Sequence, residues 1–159
     1  ASREAPTELR SLLEVLRDEA DAAPREPAQM LTSLDALEER SRLAGLDLRR
    51  RTVGEVRPVP AAVELAAVRI IQESVTNVVR HARAMHVVVG LEYRAGSLLL
   101  TIDDDGVGAS DPTALVELGG NGVRGMQERA AALGGTFAID HSSLGGLLIR
   151  ADLPTGGQS

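Results

Sequence analysis

Three polar side chains recur every four residues in the stretch QESVTNVVRHA, residues 72–82. In an α-helix at about 100° per residue, Glu73, Asn77 and His81 drift only about 40° per step and form one stripe. The opposite side of the helix would carry the apolar residues Val68, Ile71, Val75, Val78, Val79 and Ala82. Asparagine is a poor helix former whose carbonyl oxygen can bind a hard cation, so Asn77 beside Glu73 suggests Mg²⁺ binding and proton transfer. A solvated helix surface remains the alternative unless a second element supplies phosphates.

Two glycine-bearing segments could provide that second element. DDDGVG (103–108) follows an apolar stretch, where glycine lets the backbone approach a ligand and a carboxylate can accept from an exocyclic amine. GGNGVRGM (119–126) leads into a helix, and a glycine loop at a helix N-terminus favours anions. The second segment also imitates a dinucleotide-binding fingerprint. The strand before it is short and carries Glu117, however, and too few residues follow Asp140 to complete that fold.

Composition limits the classes of function. The 159 residues suit one domain with a short appended segment, and the formal charge of −6 disfavours nucleic acid or an anionic membrane as the main partner. The chain has no cysteine, which excludes disulfides and thiolate chemistry. All 17 basic residues are arginine, which excludes a P-loop lysine and Schiff-base catalysis.

The elements that must position these residues follow from the hydrophobic periodicity. Helices are predicted over 7–19, 30–44, about 61–83 and 122–135, with a Pro/Ala-rich linker over 21–29. An edge strand is predicted over 45–55, further strands over 86–94, 97–103, 136–140 and 146–154, and a loop over most of 103–122. The sum is an α+β two-layer sandwich, in which helices cover one face of a mostly antiparallel mixed sheet.

The ordered set of motifs resembles the ATP-binding domain (GHKL, or Bergerat fold) of two-component sensor histidine kinases. QESVTNVVRHA is similar to the N box of that family, residues 104–108 to its first glycine box, and residues 120–122 to its second. GVRGMQERAAALGG (122–135) is typical of the subfamily of the nitrate sensors and the membrane-fluidity sensor. Each motif alone is weak, but together they are highly specific and cover about residues 30–154.

The resemblance implies a role for each matching residue. Asn77 would bind the Mg²⁺ that bridges the ATP phosphates, Glu73 would orient a metal-bound water or act as a base, and His81 would lie near the phosphates. Asp104 would accept a hydrogen bond from the adenine amine. Gly106 and Gly108 would allow the base to approach the backbone. Gly120 and Gly122 would hinge a lid over the site, and the backbone amides of Gly122, Val123 and Arg124 would face the phosphates.

Two positions depart from the family pattern. Asp105 occupies a place that is often asparagine. Leu147 follows the last glycine pair where threonine is common, which puts a water-mediated adenine contact in question.

The resemblance also divides the chain. Residues 1–29 are similar to the end of a dimerisation helix and its linker, 30–154 to the ATP-binding catalytic domain, and 155–159 form a tail. Kinases of this family phosphorylate a histidine of their own, upstream, within an E-L-H-D-like motif. None of the three histidines, at positions 81, 86 and 141, lies in such a context. We therefore expect an excised catalytic domain that is incomplete alone.

The expected function is transfer of the γ-phosphoryl group of Mg-ATP to a histidine on a separate dimerisation domain. The parent kinase would be a homodimer that signals to a response regulator, and the domain itself would be cytoplasmic whether or not the parent is anchored in a membrane. Two alternatives stay open: a module that senses ATP without transferring phosphate, and a serine kinase of the anti-sigma-factor type, which shares the fold.

Overall fold

Five strands form one mixed sheet in the computed structural model, which describes residues 27–118 and 120–156. The strands are β1 (Asp47–Val53), β2 (His86–Arg94), β3 (Ser97–Asp104), β4 (Thr136–His141) and β5 (Leu147–Pro154). Their order across the sheet is β1-β2-β3-β5-β4. Only β1, at one edge, runs parallel to its neighbour β2, and the other pairs are antiparallel. The predicted fold class, an α+β sandwich with a mostly antiparallel mixed sheet, is confirmed.

The helices cover the apolar face of this sheet. They are α1 (Pro27–Leu43), α2 (Ala61–Asn77), which continues as a π-helix (Val78–Ala82), α3 (Ala114–Leu118) and α4 (Asn121–Ala132). Helix α1 begins inside the segment predicted to be a linker, at a proline, which is well suited to the first position of a helix. The helix predicted over residues 7–19 lies outside the described residues.

Two local features differ from the sequence prediction. The long helix, expected to reach residue 83, changes to a π-helix at Val78 and ends at Arg83, whose φ of 53° is left-handed. The segment predicted to be loop contains the short helix α3, because Asp111 and Pro112 begin a turn. Leu115 and Val116 of that helix pack on the core, which gives a short helix a tertiary anchor.

The core is aliphatic and lies between the sheet and the helices. Alternate residues of β3 point into it, since Leu98, Leu100 and Ile102 are almost completely buried. Fully buried side chains of the helices complete it, among them Leu37, Ile70, Ile71 and Val75. In the described part of the chain no helix is long and apolar enough to cross a membrane.

Helix α1 should be an integral part of this core. Leu37 is 0% exposed, so Leu37→Ala should lower the free energy of unfolding by about 2–5 kcal/mol, because it leaves a cavity. Leu43 lies on the same helix and is 77% exposed, so Leu43→Ala should change it by less than about 0.5 kcal/mol. Urea denaturation followed by circular dichroism measures both. Equal, small effects would show that α1 does not pack as described.

Candidate functional site

A cavity of about 540 Å³ lies between α2, the end of β3 and the start of α4. Its volume falls in the range of small-molecule pockets. Residues predicted from separate motifs share its wall: Glu73, Asn77, Asp104, Gly108, Gly120, Gly122 and Val123. The fold therefore brings together the polar helix stripe and both glycine segments, which are up to about fifty positions apart in the sequence.

Asp104 continues the buried row of β3. It follows Ile102 at the two-residue spacing of a strand, so its side chain lies on the helix side of the sheet and is 4% exposed. Its Oδ1 accepts hydrogen bonds from the backbone N–H of Gly106 (2.8 Å) and of Leu147 (3.4 Å). Burial raises the pKa of Asp104, and the two N–H groups only partly oppose this effect.

Gly146 leaves the space that the Asp104 carboxylate occupies. A Cβ atom at this position would overlap Asp104 Oδ1 and lie 2.6 Å from its backbone oxygen. The Gly146 N–H also donates to that backbone oxygen at 3.0 Å. Gly146, in the β4–β5 turn, therefore packs directly against the predicted site residue.

The polar stripe of α2 faces the cavity rather than open solvent. Glu73 and Asn77 are half-buried and line the wall. Among residues 27–118 and 120–156 neither side chain has a hydrogen-bond partner, so both are available to a ligand.

The first turn of α4 packs against this stripe. A Cβ atom at Gly122 would overlap the Glu73 carboxylate, so a larger residue at this position would displace the end of that side chain. The cap residue of α4, Gly120, offers no side-chain hydrogen bond to the helix terminus. The N–H groups at the start of α4 are therefore open to an anion at the cavity wall.

Two predicted residues, Gly106 and Arg124, are not part of the cavity wall in the described part of the chain. The Gly106 N–H donates to Asp104. Arg124 is exposed in the first turn of α4. For His81 the backbone belongs to the π-helix, and its side chain lies outside the described residues.

Other wall residues were not identified from the sequence. Arg80 is exposed and lines the cavity one turn after Asn77. The sequence signal for Arg80 was its position three residues after Asn77, because residues three apart are neighbours on a helix surface. Apolar side chains complete the wall: Val107, Leu115, Ile139 and Ile149, together with Leu147, whose position the family pattern had already marked. Nothing in their types distinguishes them from core residues.

Comparison with known proteins identifies the family. The model of the histidine kinase-, DNA gyrase B- and HSP90-like ATPases matches residues 62–157. The chain belongs to this ATPase family. This confirms the resemblance found in the sequence motifs.

The curated relatives of this ATPase family member are sensor histidine kinases. The nitrate/nitrite sensor protein NarQ of Escherichia coli is 31% identical over 151 residues, which cover 94% of this chain and 25% of NarQ. The sensor histidine kinase YxjM of Bacillus subtilis is 36% identical over 95 residues, 60% of this chain and 22% of YxjM. The chain thus spans about a quarter of the length of these relatives.

Solved structures of histidine kinase domains share the fold. The ATP-binding domain of PrrB from Mycobacterium tuberculosis superposes with a TM-score of 0.62 at 22% identity, covering 76% of this chain and 89% of that one. The histidine kinase domain of the blue-light activated kinase of Erythrobacter litoralis EL346 gives a TM-score of 0.63 at 21% identity, covering 95% and 78%.

The raised pKa of Asp104 predicts a pH-dependent stability cost. A carboxyl whose pKa is higher in the folded state destabilises the protein when ionised, so the cost is absent at acidic pH and develops as pH rises above the ordinary value of 3.8. Asp104→Asn should therefore be more stable than the wild type at pH 7 and equally stable near pH 3. Urea denaturation across this range measures it.

Asp140→Asn, on the exposed end of β4, is the matched control, since it removes an exposed carboxylate and should not raise the stability at pH 7. A wild type that is more stable than Asp104→Asn at pH 7 would contradict the buried-charge interpretation.

Proposed function

We propose that this chain binds Mg-ATP and donates the γ-phosphoryl group to a histidine on a separate dimerisation domain of a sensor histidine kinase. The observation that carries the proposal is a single cavity that collects Asp104 from β3 and Asn77 from α2. One side chain suits the base of an adenine nucleotide and the other suits its metal-bound phosphates. The sensor kinases among the relatives support the same conclusion.

Asp104 would select adenine. An ionised carboxylate only accepts hydrogen bonds, so it pairs with the exocyclic amine of adenine and is left facing a carbonyl oxygen when guanine is bound. Leaving a buried acceptor unpaired costs about 1–3 kcal/mol. Gly106 and Gly108 would let the loop after β3 approach the base, and Leu147 would contribute an apolar wall where a threonine hydroxyl is common.

The other end of the cavity fits Mg²⁺ and phosphates. The unpaired amide of Asn77 offers a hard oxygen ligand, and Glu73 lies one turn away on the same stripe. In the described ranges no three His, Cys, Asp or Glu side chains cluster as a metal site, which agrees with a cation held mainly by substrate phosphates. Asn77 would bind Mg²⁺ directly and Glu73 through a water molecule, and the bound ion would neutralise phosphate charge.

Catalysis by this domain would consist of positioning and charge stabilisation. The N–H groups at Gly122 and Val123, in the first turn of α4, would face the phosphates, with Gly120 as a hinge of the lid. The N–H of Arg124, the third predicted donor, already bonds the Gly120 carbonyl at 3.1 Å. Glu73 would orient water or accept a proton, and His81 would lie near the phosphates. No covalent intermediate on this chain is required.

The partners follow from the proposed reaction. The acceptor would be the dimerisation domain of a homodimeric parent kinase, and a response regulator would receive the phosphoryl group from it. The domain would act in the cytoplasm. Residues 30–154 would form the catalytic unit, with 1–29 as the connection to the dimerisation helix and 155–159 as a tail.

Asn77→Ala should abolish Mg²⁺-dependent ATP binding, because it removes the one direct protein ligand of the proposed metal site. Isothermal titration of ATP with and without Mg²⁺ measures the effect, expected to be at least tenfold in the presence of Mg²⁺. Gln127→Ala is the matched control, since it removes an exposed amide from α4 and should change neither value. Unchanged Mg²⁺-dependent affinity in Asn77→Ala would remove this residue from the proposed metal site.

The chain alone should bind ATP without becoming phosphorylated. Transfer requires an acceptor imidazole in line with the γ-phosphorus, and His86 and His141 lie at strand ends outside the cavity wall. With γ-labelled ATP we expect no label on this chain and acid-labile label on a supplied dimerisation fragment of the parent kinase.

The acid stability and the position of the label distinguish the proposed histidine kinase from the two alternative functions. Acid-stable label on a serine of an added partner would favour the serine-kinase alternative, and ATP binding with no label on any partner would favour the sensing module. Autophosphorylation of His81, His86 or His141 would overturn transfer to a separate domain.

A further inference from the structure

We infer that Asp105 is a positioning residue, whose carboxylate fixes the end of β3 against the segment that leaves α2 and so sets the distance between Asp104 and Asn77. The inference rests on the proposed function, because it treats these two residues as opposite ends of one nucleotide site. Asp105 itself is not part of the cavity wall.

Asp105 is bonded to two consecutive residues of another part of the chain. Its Oδ1 accepts from the backbone N–H of Met85 (2.9 Å) and of His86 (3.0 Å). Its Oδ2 lies 2.7 Å from His86 Nδ1, and its own N–H donates to the His86 carbonyl at 3.2 Å. Four contacts therefore join one residue to the first residue of β2 and the residue before it.

The segment that Asp105 holds is the exit of the helix that carries Asn77. Only Arg83, Ala84 and Met85 separate the π-helix from β2. Arg83 has a left-handed backbone, which is unfavourable for a residue with a side chain and has to be maintained by its surroundings. The contacts of Asp105 with Met85 and His86 supply such a restraint directly after this turn.

The same segment is also held from the other side, by β1. The Asp47 N–H donates to the Met85 carbonyl at 2.9 Å, and Asp47 Oδ2 lies 3.9 Å from His86 Nε2. Arg49 in turn binds the Asp47 carboxylate at 3.3 Å. The exit of the helix is thus bonded to β1 on one side and to the residue after β3 on the other. Only the second connection leads directly to Asp104, the last residue of β3.

On the β3 side, the contacts of Asp105 also restrain the position of its neighbour Asp104. Asp104 is the last residue of β3 and Asp105 follows it directly; Asp104 is buried at the cavity, whereas Asp105 is half-buried and is not part of its wall. Asp105 fixes the backbone from outside the cavity, while Asp104 accepts from Gly106 on the inside. The N–H bonds from residues 85 and 86, together with the His86 ring, lower the pKa of Asp105 to about 2, so its charge is retained throughout the neutral range.

A positioning role predicts different effects on a whole nucleotide and on part of one. In Asp105→Ala each half of the site keeps its own side chains, but their separation is no longer fixed. ATP, which must contact both ends at once, should bind at least tenfold more weakly. Adenosine, which contacts only the base end, should bind within twofold of the wild type. Isothermal titration with Mg-ATP and ligand-observed NMR with adenosine measure the two affinities.

Three further variants make the test decisive. Asp140→Ala removes an exposed carboxylate whose one partner among the described residues is the backbone N–H of His141, and it should leave both affinities unchanged. Leu153→Val trims a core residue at the far end of β5 and controls for lowered stability, again with unchanged affinities. Asp105→Asn keeps an oxygen for the two N–H groups. This variant should also lose affinity for ATP and keep its affinity for adenosine, but the loss should be smaller than in Asp105→Ala. It replaces the alanine variant in the test if that variant does not fold.

The outcomes distinguish this inference from the proposed function. A wild type that does not bind Mg-ATP would refute the proposed function itself. A wild type that binds, with Asp105 variants that lose ATP and adenosine affinity equally or lose neither, would overturn the positioning role alone.

Discussion

The burial of the Asp104 carboxylate constrains most of the structure around the cavity. A charged group removed from water is costly unless polar groups surround it, and here two backbone N–H groups converge on one oxygen, one from the loop after β3 and one from the first residue of β5. Both segments must therefore keep one arrangement relative to β3. Gly146 completes the constraint, since any side chain at that position would overlap the carboxylate. One buried acid thus orders three segments that meet only in the folded protein.

The composition of the chain limits how such a cavity can hold a nucleotide. There is one tyrosine and one phenylalanine, and neither lines the cavity, so an adenine base would lie between aliphatic walls instead of stacking on an aromatic ring. Lysine is absent, so the anionic end would rely on arginine, on an asparagine-bound cation and on the N–H groups of a helix terminus. This dependence on backbone explains why glycines occupy so much of the site.

The sequence predicted the regular elements well and the details of the wall poorly, for a physical reason. Periodicity reports which face of an element is buried, so the five strands and the main helices were found to within a few residues. It does not report what lies across a cavity. Gly146 and Ile139 belong to the site only because β5 pairs with β3 and β4 pairs with β5. The π-helix after Asn77 and the short helix α3 were missed because tertiary contacts, not local propensity, maintain them.

The precision of the candidate site originates in the core. Helix α2 carries Ile71 and Val75, which are 0% exposed, beside Glu73 and Asn77, which are half-buried at the cavity. Close packing on the apolar side leaves the helix little freedom to rotate, so it also fixes where the polar stripe points. Related kinase domains keep the same fold at about a fifth sequence identity. Core side chains can be exchanged for others of similar volume, provided that the helix keeps its rotation and the glycine segments keep their close approaches.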